Sequence, residues 1–428
     1  MVNIGVVITA GSVMVVGSGL AYLAFGLARS GLHDIQSSVL SARGDTYLDS
    51  DGDMEEFEAL PHTEYTNKTI AFIEKADRRN RLLTEDESLP IQIAKCQPNT
   101  IYIGLRNITL EEIPERIAPG IKLRVLDVSG ARMHESGLGK KTMVLQLFSA
   151  LEDIWIETLR VAGFEAEGET WAPARQPSIH LCITKELTIS WISPSFLVWF
   201  CESVDLSSHA GGISLELCEC SIDSIACLDG LGIKNLSGLC LSKLPHLQRL
   251  DYHMPGGCEQ RNTLAIQNLP LGLEVPSGVA QSITEGAWKK VFIHMCTWNR
   301  VYGLSGRAIV VKELLSLNVG CLDELSIGDV VGSGGSVKTL EIRDGSSEKM
   351  LAKAFFDSAI QWAVSNAKEV ETLDVRGSYG ASPDLDLEAL LARTPIELPA
   401  LSRLERLWVC GRHAHIRCNP IRHGQVVQ

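Results

Sequence analysis

A short apolar pattern, L-x-x-L-x-L, recurs through this 428-residue chain and constrains its fold more than any other feature. It is clearest at Leu215-x-Leu217-x-x-Cys220 and returns one interval later at Leu236-x-x-Leu239-x-Leu241. Other good matches are Ile103-x-Leu105, Leu123-x-x-Leu126-x-Val128, Val337-x-x-Leu340-x-Ile342, Val370-x-x-Leu373-x-Val375 and Leu404-x-x-Leu407-x-Val409. Weaker matches are Leu151-x-x-Ile154-x-Ile156, Leu187-x-Ile189, Leu247-x-x-Leu250, Leu264-x-Ile266, Trp288-x-x-Val291-x-Ile293 and Leu322-x-x-Leu325-x-Ile327.

The alternation within each match is typical of a short β-strand. Both leucines of L-x-L point to one face of a strand, and the residue between them points to the other face. A single unit of this size cannot bury its apolar face, so neighbouring units must stack on one another. The pattern therefore predicts parallel strands side by side in one sheet, with helices or irregular segments returning on the opposite side.

These units resemble the leucine-rich-repeat family, whose pattern is L-x-x-L-x-L-x-x-N/C-x-L, and Cys220 stands at the Asn/Cys position. The resemblance implies an α/β solenoid over residues 99–418, with a curved parallel sheet, helices on the convex side and a tail at 419–428. As a family expectation, such a scaffold binds a protein ligand on the concave face of its sheet.

The N-terminal segment is a long uncharged run. No charged side chain occurs from Val2 to Ala28, and a helix needs about 20 apolar residues to cross a bilayer. The run predicts a transmembrane helix or signal anchor within residues 1–30, and hence a single-pass membrane protein. The side of the membrane stays open, because Arg29 and Arg43 favour a cytosolic chain, whereas three Asn-x-Ser/Thr triplets are glycosylation sequons.

Two alternatives account for the same segment. The first is a cleaved signal peptide, which would leave a secreted repeat protein. The second is the dinucleotide-binding motif of FAD- or NAD-dependent oxidoreductases, with Gly17 and Gly19 as its first glycines. Against the second, Tyr22 replaces the third glycine and Ser41 lies near the expected acidic residue.

The segment between this run and the repeats divides in two. Residues 31–66 include an acidic stretch from Asp45 to Glu58 and are expected to form a disordered linker. Residues 67–98 are expected to cap the open end of the repeats, with a helix from Thr69 to Leu83.

The composition argues against several functional classes. The formal net charge is −13 and no basic stripe occurs, which argues against nucleic acid as a partner. No hydrolase, kinase or metalloprotease motif is present, so we expect a non-catalytic protein with no cofactor and no metal. Cys410, His413, His415 and Cys418 cluster at the last repeat, and we expect ordinary terminal residues there rather than a zinc site or a disulfide.

The candidate binding residues are those that the pattern places outward on the strands. The resulting surface is expected to be mixed in charge, mostly acidic, and to carry two exposed tryptophans that act as anchors for a protein partner. The candidates are Asp127, Trp155, Glu216, Asp251, Glu341, Arg343, Asp374, Arg376 and Trp408.

Overall fold

The computed structural model of the chain describes most of the repeat region and little of the N-terminal region. The described residues are 64–77, 100–117, 122–130, 138–152, 154–164, 171, 179–207, 211–255, 260–326, 337–345, 352–367, 369–376 and 404–409, together with the short strands 8–9, 12–13, 82–83, 92–93, 396–397, 412–414 and 416–417. The chain divides into two units, residues 1–58 and 59–428. In the first unit, Ile8–Thr9 and Ser12–Val13 pair as antiparallel strands.

The second unit contains one long sheet whose twelve parallel strands follow each other in chain order. In that order they are β1 (Thr100–Gly104), β2 (Lys122–Ser129), β3 (Trp155–Phe164), β4 (Cys182–Ile192), β5 (Ile213–Cys218), β6 (Leu236–Ser242), β7 (Gln260–Gln267), β8 (Ala287–His294), β9 (Val310–Val319), β10 (Thr339–Asp344), β11 (Thr372–Arg376) and β12 (Arg406–Val409). A thirteenth strand, β13 (Arg412–Ala414), pairs with β12 in antiparallel orientation and ends the sheet. The predicted α/β class with a parallel sheet is confirmed.

The leucines of the pattern hold these strands in register. Leu215 of β5 lies opposite Leu187 on one side and Leu239 on the other, and Leu239 lies opposite Leu264. The row continues across all twelve strands as Ile101, Leu126, Leu159, Leu187, Leu215, Leu239, Leu264, Val291, Leu315, Leu340, Leu373 and Leu407. Each member is at most 3% exposed. A slip of one residue would turn this whole apolar row to the other face, so burial fixes the register.

Helices occupy the connections between strands and pack on the leucine side. They are α1 (Glu64–Ala76), α2 (Leu138–Ala150), α3 (Pro194–Ser203), α4 (Ser277–Thr284), α5 (Met295–Ser305) and α6 (Ala352–Asn366), with 3₁₀ segments at Leu105–Asn107, Leu110–Glu112, Ala226–Leu231 and Leu322–Ser326. Buried helix residues such as Leu147, Phe200 and Phe355 join the leucine row in a single hydrophobic core. The short pairs Leu82–Leu83 with Gln92–Ile93, Ile179–His180 with Val204–Asp205, and Ile396–Glu397 with Ile416–Arg417 lie outside the sheet.

Helix α1 lies beside the first strand and overlaps the predicted helix Thr69–Leu83 only in part. The helix ends at Ala76, and Leu83 belongs to a short strand instead. Phe72, Ile73 and Ala76 are buried in the core, and the side-chain amide of Asn107 donates to the carbonyl oxygen of Ala76 at 2.8 Å. The helix therefore packs against the β1 end, as a cap would.

Three weaker matches of the pattern were assigned to the wrong segment. Leu322–Ser326 is a 3₁₀ segment, and the strand of that unit is β9, where Leu315 and Leu317 hold the leucine positions. Leu247 and Leu250 lie in the return segment before β7. The third match is Leu151-x-x-Ile154-x-Ile156. It predicted Ile154 in the leucine row, but Leu159 of β3 occupies that place in the row. Segments on both sides of the core are apolar, so spacing alone does not distinguish strand from return segment.

The described helices include none that is long and apolar enough to span a membrane. Most of the uncharged run from Val2 to Ala28, and all of the acidic stretch from Asp45 to Glu58, lie outside the described residues. The described part of the run, Ile8–Thr9 and Ser12–Val13, is strand and not helix. Helix α1 begins at Glu64, inside the predicted linker 31–66. The membrane anchor and the remainder of the linker stay predictions.

Candidate functional site

The face of the sheet opposite the leucine row, here called the outward face, is built from three rows of side chains. The central row is Tyr102, Asp127, Arg160, Thr188, Glu216, Cys240, Ala265, Phe292, Ser316, Glu341, Asp374 and Trp408. The other rows lie two residues before and two residues after it, because alternate residues of a strand share a face. None of these outward side chains belongs to the hydrophobic core.

The described outward rows are balanced in charge. Their acidic members are Asp127, Glu186, Glu216, Glu341 and Asp374, and their basic members are Arg160, Lys290, Arg343, Arg376 and Arg406. The expectation of a mostly acidic surface is therefore wrong. The expectation arose because not every outward position of the strands was considered, which left out the basic residues Arg160, Lys290 and Arg406.

Four charged side chains near the C-terminal end of the sheet form a continuous network. The Arg343 guanidinium donates from Nε to Glu341 Oε2 at 3.0 Å. That of Arg376 donates from Nε to Asp374 Oδ2 at 2.8 Å and lies 3.5 Å from Glu341 Oε1. The hydrogen bonds that the Arg376 guanidinium donates to Asp374 raise the pKa of Arg376. The sequence prediction that these four residues share one face is confirmed.

Trp408 extends this network on the next strand. It lies opposite Asp374 in the register of β11 and β12 and is half-buried. Asp374 is 7% exposed, and its Oδ1 has no hydrogen-bond partner among the described residues. A buried carboxylate oxygen that accepts no hydrogen bond lowers the stability of a protein by about 1–3 kcal/mol, and a hydrogen-bond donor on a bound molecule would restore it.

Trp155 projects from the start of β3, opposite Lys122 and Cys182, and 53% of it is exposed. It is therefore an outward residue and not part of the core. Nine strand steps separate β3 from β12, which corresponds to roughly 40 Å along the sheet at about 4.8 Å per step. The two tryptophans therefore belong to separate patches.

A second charged group lies on strands β2 to β5. Asp127 is paired in register with Arg160, Arg160 with Thr188, and Thr188 with Glu216. Burial raises the pKa of Glu216, the nearby Glu186 raises it further, and Arg160 lowers it. Burial also raises the pKa of the adjacent Cys240 thiol to about 12, so this cysteine is not a thiolate nucleophile at neutral pH.

This raised pKa predicts how stability depends on pH. The folded state resists the charged form of Glu216, so the penalty is absent below the unfolded pKa and grows as pH rises through the folded pKa. We expect Glu216→Gln to be more stable than the wild type at pH 7 and equally stable near pH 4, measured by urea unfolding at both pH values. Glu405→Gln, at an exposed carboxylate, is the control. A Glu216→Gln advantage that is no smaller at pH 4 would contradict this account.

Asp251 is not on the outward face. It lies in the return segment, where its Oδ1 accepts from the backbone N–H of Ile225 at 3.0 Å and its Oδ2 accepts from the Ser224 hydroxyl at 2.8 Å. The outward central position of that unit is Ala265. Asp251 therefore links two consecutive units, and the prediction that it lies outward on a strand is wrong.

The sequence reading missed the outward residues Arg160, Lys290, Phe292 and Arg406. Lys290, Phe292 and Arg406 belong to correctly placed matches whose outward positions were not all considered, and Arg160 belongs to β3, where the match was misplaced. Strand β9 itself was also missed, although the sequence contained two indications of it. These are the β-branched pair Val310 and Val311 and the 24-residue interval from Val291 to Leu315.

The other candidate sites from the sequence fall where the structure gives no description. Gly17 and Gly19, and likewise Cys410 and Cys418, lie outside the described residues. The cysteines that are described form no disulfide with one another. In this part of the chain, one set of side chains has donor atoms close enough for a metal ion, namely His294, Cys296 and Glu324.

Comparison of the chain with protein-family models, curated proteins and solved structures finds no match in any of the three.

Proposed function

We propose that the chain is a leucine-rich-repeat solenoid that binds a partner protein on its outward face, which would be the concave face, and that it catalyses no reaction. The observation that carries this proposal is the patch formed by Trp408 and the four-residue network of Glu341, Arg343, Asp374 and Arg376. Tryptophan beside arginine is the composition of energetic anchors at protein interfaces.

The repeat character is supported by how consecutive units stack. The interval between equivalent leucine positions is 24 residues from Leu215 to Leu239 and 34 residues from Leu373 to Leu407, within or near the range of known solenoid repeats. In addition, isolated parallel bridges join Ser224 to Arg249 and Arg249 to Glu274 in the return segments. Contacts on both sides of the core between neighbouring units favour a stack of coils.

A protein is the partner that suits this face best. The described outward rows carry equal numbers of acidic and basic groups, which would repel a polyanion at as many positions as they attract it. The core of a protein interface instead combines aromatic residues and arginine with satisfied polar groups. Trp408 supplies apolar area, and the neighbouring network supplies donors and acceptors in fixed positions.

Replacing Trp408 by alanine is expected to weaken partner binding. Loss of an anchor of this kind costs about 2 kcal/mol or more, equivalent to roughly 30-fold in affinity. Tagged wild type and Trp408→Ala would be purified from the native host, and the recovered proteins compared by quantitative mass spectrometry, followed by affinity measurement on the purified pair. Leu304→Ala, at a 43% exposed leucine of helix α5, is the control. A partner that binds all three proteins equally well would argue against the outward face.

Trp155→Ala provides an independent test of the extent of the interface. If the partner covers the face from β3 to β12, the losses of binding free energy caused by Trp155→Ala and by Trp408→Ala should add, because the two sites are too far apart to interact. Equal affinity of wild type and both single variants would remove the basis for the proposed function.

The proposal includes an N-terminal membrane anchor within residues 1–30, supported by the uncharged run from Val2 to Ala28. The full chain should resist extraction by salt and alkali and require detergent, and deletion of residues 2–28 should release it. N-terminal sequencing should show that the mature protein retains residues 2–28. A mature chain that begins after residue 28 would instead identify a secreted protein.

A further inference from the structure

Three potential metal ligands meet at the edge of the sheet where strands β8 and β9 end. His294 is the last residue of β8, and Cys296 lies in the first turn of helix α5, which follows directly. Glu324 lies in the 3₁₀ segment Leu322–Ser326 after β9. Because β8 and β9 are parallel neighbours, the segments that follow them leave the sheet side by side, which brings residues from two consecutive units together.

The donor atoms converge on a common point. His294 Nδ1 lies 3.1 Å from Cys296 Sγ and 3.8 Å from Glu324 Oε2, and all three donor atoms lie within 4.8 Å of one another. In a tetrahedral zinc site with bonds of about 2.0–2.3 Å, neighbouring ligand atoms are about 3.3–3.7 Å apart. The observed separations between donor atoms differ from this by up to about an ångström, which small side-chain rotations can close.

The arrangement differs from a catalytic cysteine–histidine pair. In such a triad, the nucleophile and the acidic residue contact opposite nitrogens of the imidazole ring. Here the thiol and the carboxylate both approach Nδ1. The backbone N–H of Cys296 donates to this nitrogen at 3.4 Å, as the N-cap hydrogen bond of helix α5, so Nδ1 is the unprotonated nitrogen of the ring. A thiol and a carboxylate that approach the same imidazole nitrogen are arranged as ligands of one metal ion would be.

Gly320 holds the carboxylate in place and leaves room for the ring. Its backbone N–H donates to Glu324 Oε2 at 2.8 Å. A Cβ at this position would lie 3.1 Å from His294 Nε2 and 3.2 Å from Glu324 Oε1, closer than side chains normally approach. A side chain at this position would therefore require the His294 ring or the Glu324 carboxylate to shift by a few tenths of an ångström. Backbone groups that orient a ligand carboxylate are a regular feature of metal sites.

We propose that His294, Cys296 and Glu324 bind one Zn²⁺ ion, with a fourth coordination position open to water. Imidazole nitrogen, thiolate sulfur and carboxylate oxygen are all zinc ligands, and three protein ligands with an open position are a known zinc arrangement. On binding, the Cys296 thiol loses its proton to solvent as the sulfur–zinc bond forms. The ion would join two consecutive repeat units, and this inference does not depend on the partner-binding proposal.

Metal titration of the full chain tests the site. To exclude the terminal cluster as a second site, the measurements use the Cys410→Ser/Cys418→Ser background. The chelator-treated, reduced protein is titrated with Zn²⁺ against a chromophoric chelator, and with Co²⁺ to record absorption. We expect one equivalent of zinc, a thiolate-to-cobalt charge-transfer band and the d–d bands of tetrahedral cobalt.

Matched variants identify the ligands. Cys296→Ser should abolish the charge-transfer band and weaken zinc binding more than about 100-fold, because loss of an outer-shell partner alone costs about 10–100-fold. Gly320→Ala should weaken zinc binding by about 10–100-fold, as expected for an outer-shell partner. Cys321→Ser, at an exposed cysteine of the adjoining loop, should bind zinc as the background does.

The variants must also separate a lost ligand from a lost fold. Zinc should raise the Tm of the background protein and leave the Tm of Cys296→Ser unchanged, while both metal-free proteins show the same circular dichroism. The proposal is overturned if no stoichiometric zinc binds, or if Cys296→Ser and His294→Ala bind it as tightly as the background.

Discussion

Replacing Leu239 by alanine is expected to lower the free energy of unfolding by about 2–5 kcal/mol. Leu239 is fully buried and lies between Leu215 and Leu264 in the leucine row, near the middle of the sheet. Truncation removes the transfer free energy of the side chain and leaves a cavity that strands on both sides cannot fill without losing register. Urea unfolding followed by circular dichroism and tryptophan fluorescence measures the loss.

The control is Leu271→Ala, which makes the same chemical change at a leucine that is 60% exposed. It should change the free energy of unfolding by no more than about 0.5 kcal/mol. If Leu239→Ala were as mild as Leu271→Ala, the row of leucines would not be the packed centre of the sheet, and the description of the fold would be wrong.

The strand alternation was predictable from the sequence because it reflects a local requirement. Each strand must bury alternate residues, so pairs such as Leu215 with Leu217 and Leu373 with Val375 mark their strands without knowledge of their neighbours. The return segments have the opposite property. Leu247 and Leu250 are as fully buried as the strand leucines, but in a segment without regular strand pairing, and their spacing imitates the strand pattern.

Among the candidate sites, those formed within one strand were predictable and the one formed between two units was not. Glu341 with Arg343, and Asp374 with Arg376, were predictable as outward pairs because each pair lies within one strand at a separation of two residues. The cluster of His294, Cys296 and Glu324 was not predictable, because it requires the β8 and β9 units to be in the correct register. The sequence pattern instead predicts the strand of that unit at Leu322-x-x-Leu325-x-Ile327, and the 3₁₀ segment Leu322–Ser326 found there carries Glu324.

The largest loss of stability is expected at Phe196, the central ring of an aromatic cluster beneath β3 and β4. Its ring stacks on Phe164 with centroids 4.3 Å apart, meets Trp171 edge-on at 4.8 Å, and lies 5.5 Å from the ring of Trp199. Helix α3 holds it there, since the Ser193 hydroxyl accepts the N–H of Phe196 at the helix start. Phe196→Ala removes all these ring contacts from a fully buried position.

A Phe-to-Ala change in such a core costs about 3–5 kcal/mol, a large share of the 5–15 kcal/mol or so by which proteins of this kind are stable. Trp171 and Trp199 report on it directly, so their fluorescence should change in the folded state as well as at the unfolding midpoint. Val198→Ala, on the same helix at a side chain that is 39% exposed, should be nearly neutral because alanine favours helix. Equal losses from Phe196→Ala and Val198→Ala would mean that these rings do not form a packed core, and that helix α3 is held to the sheet by its backbone contacts alone.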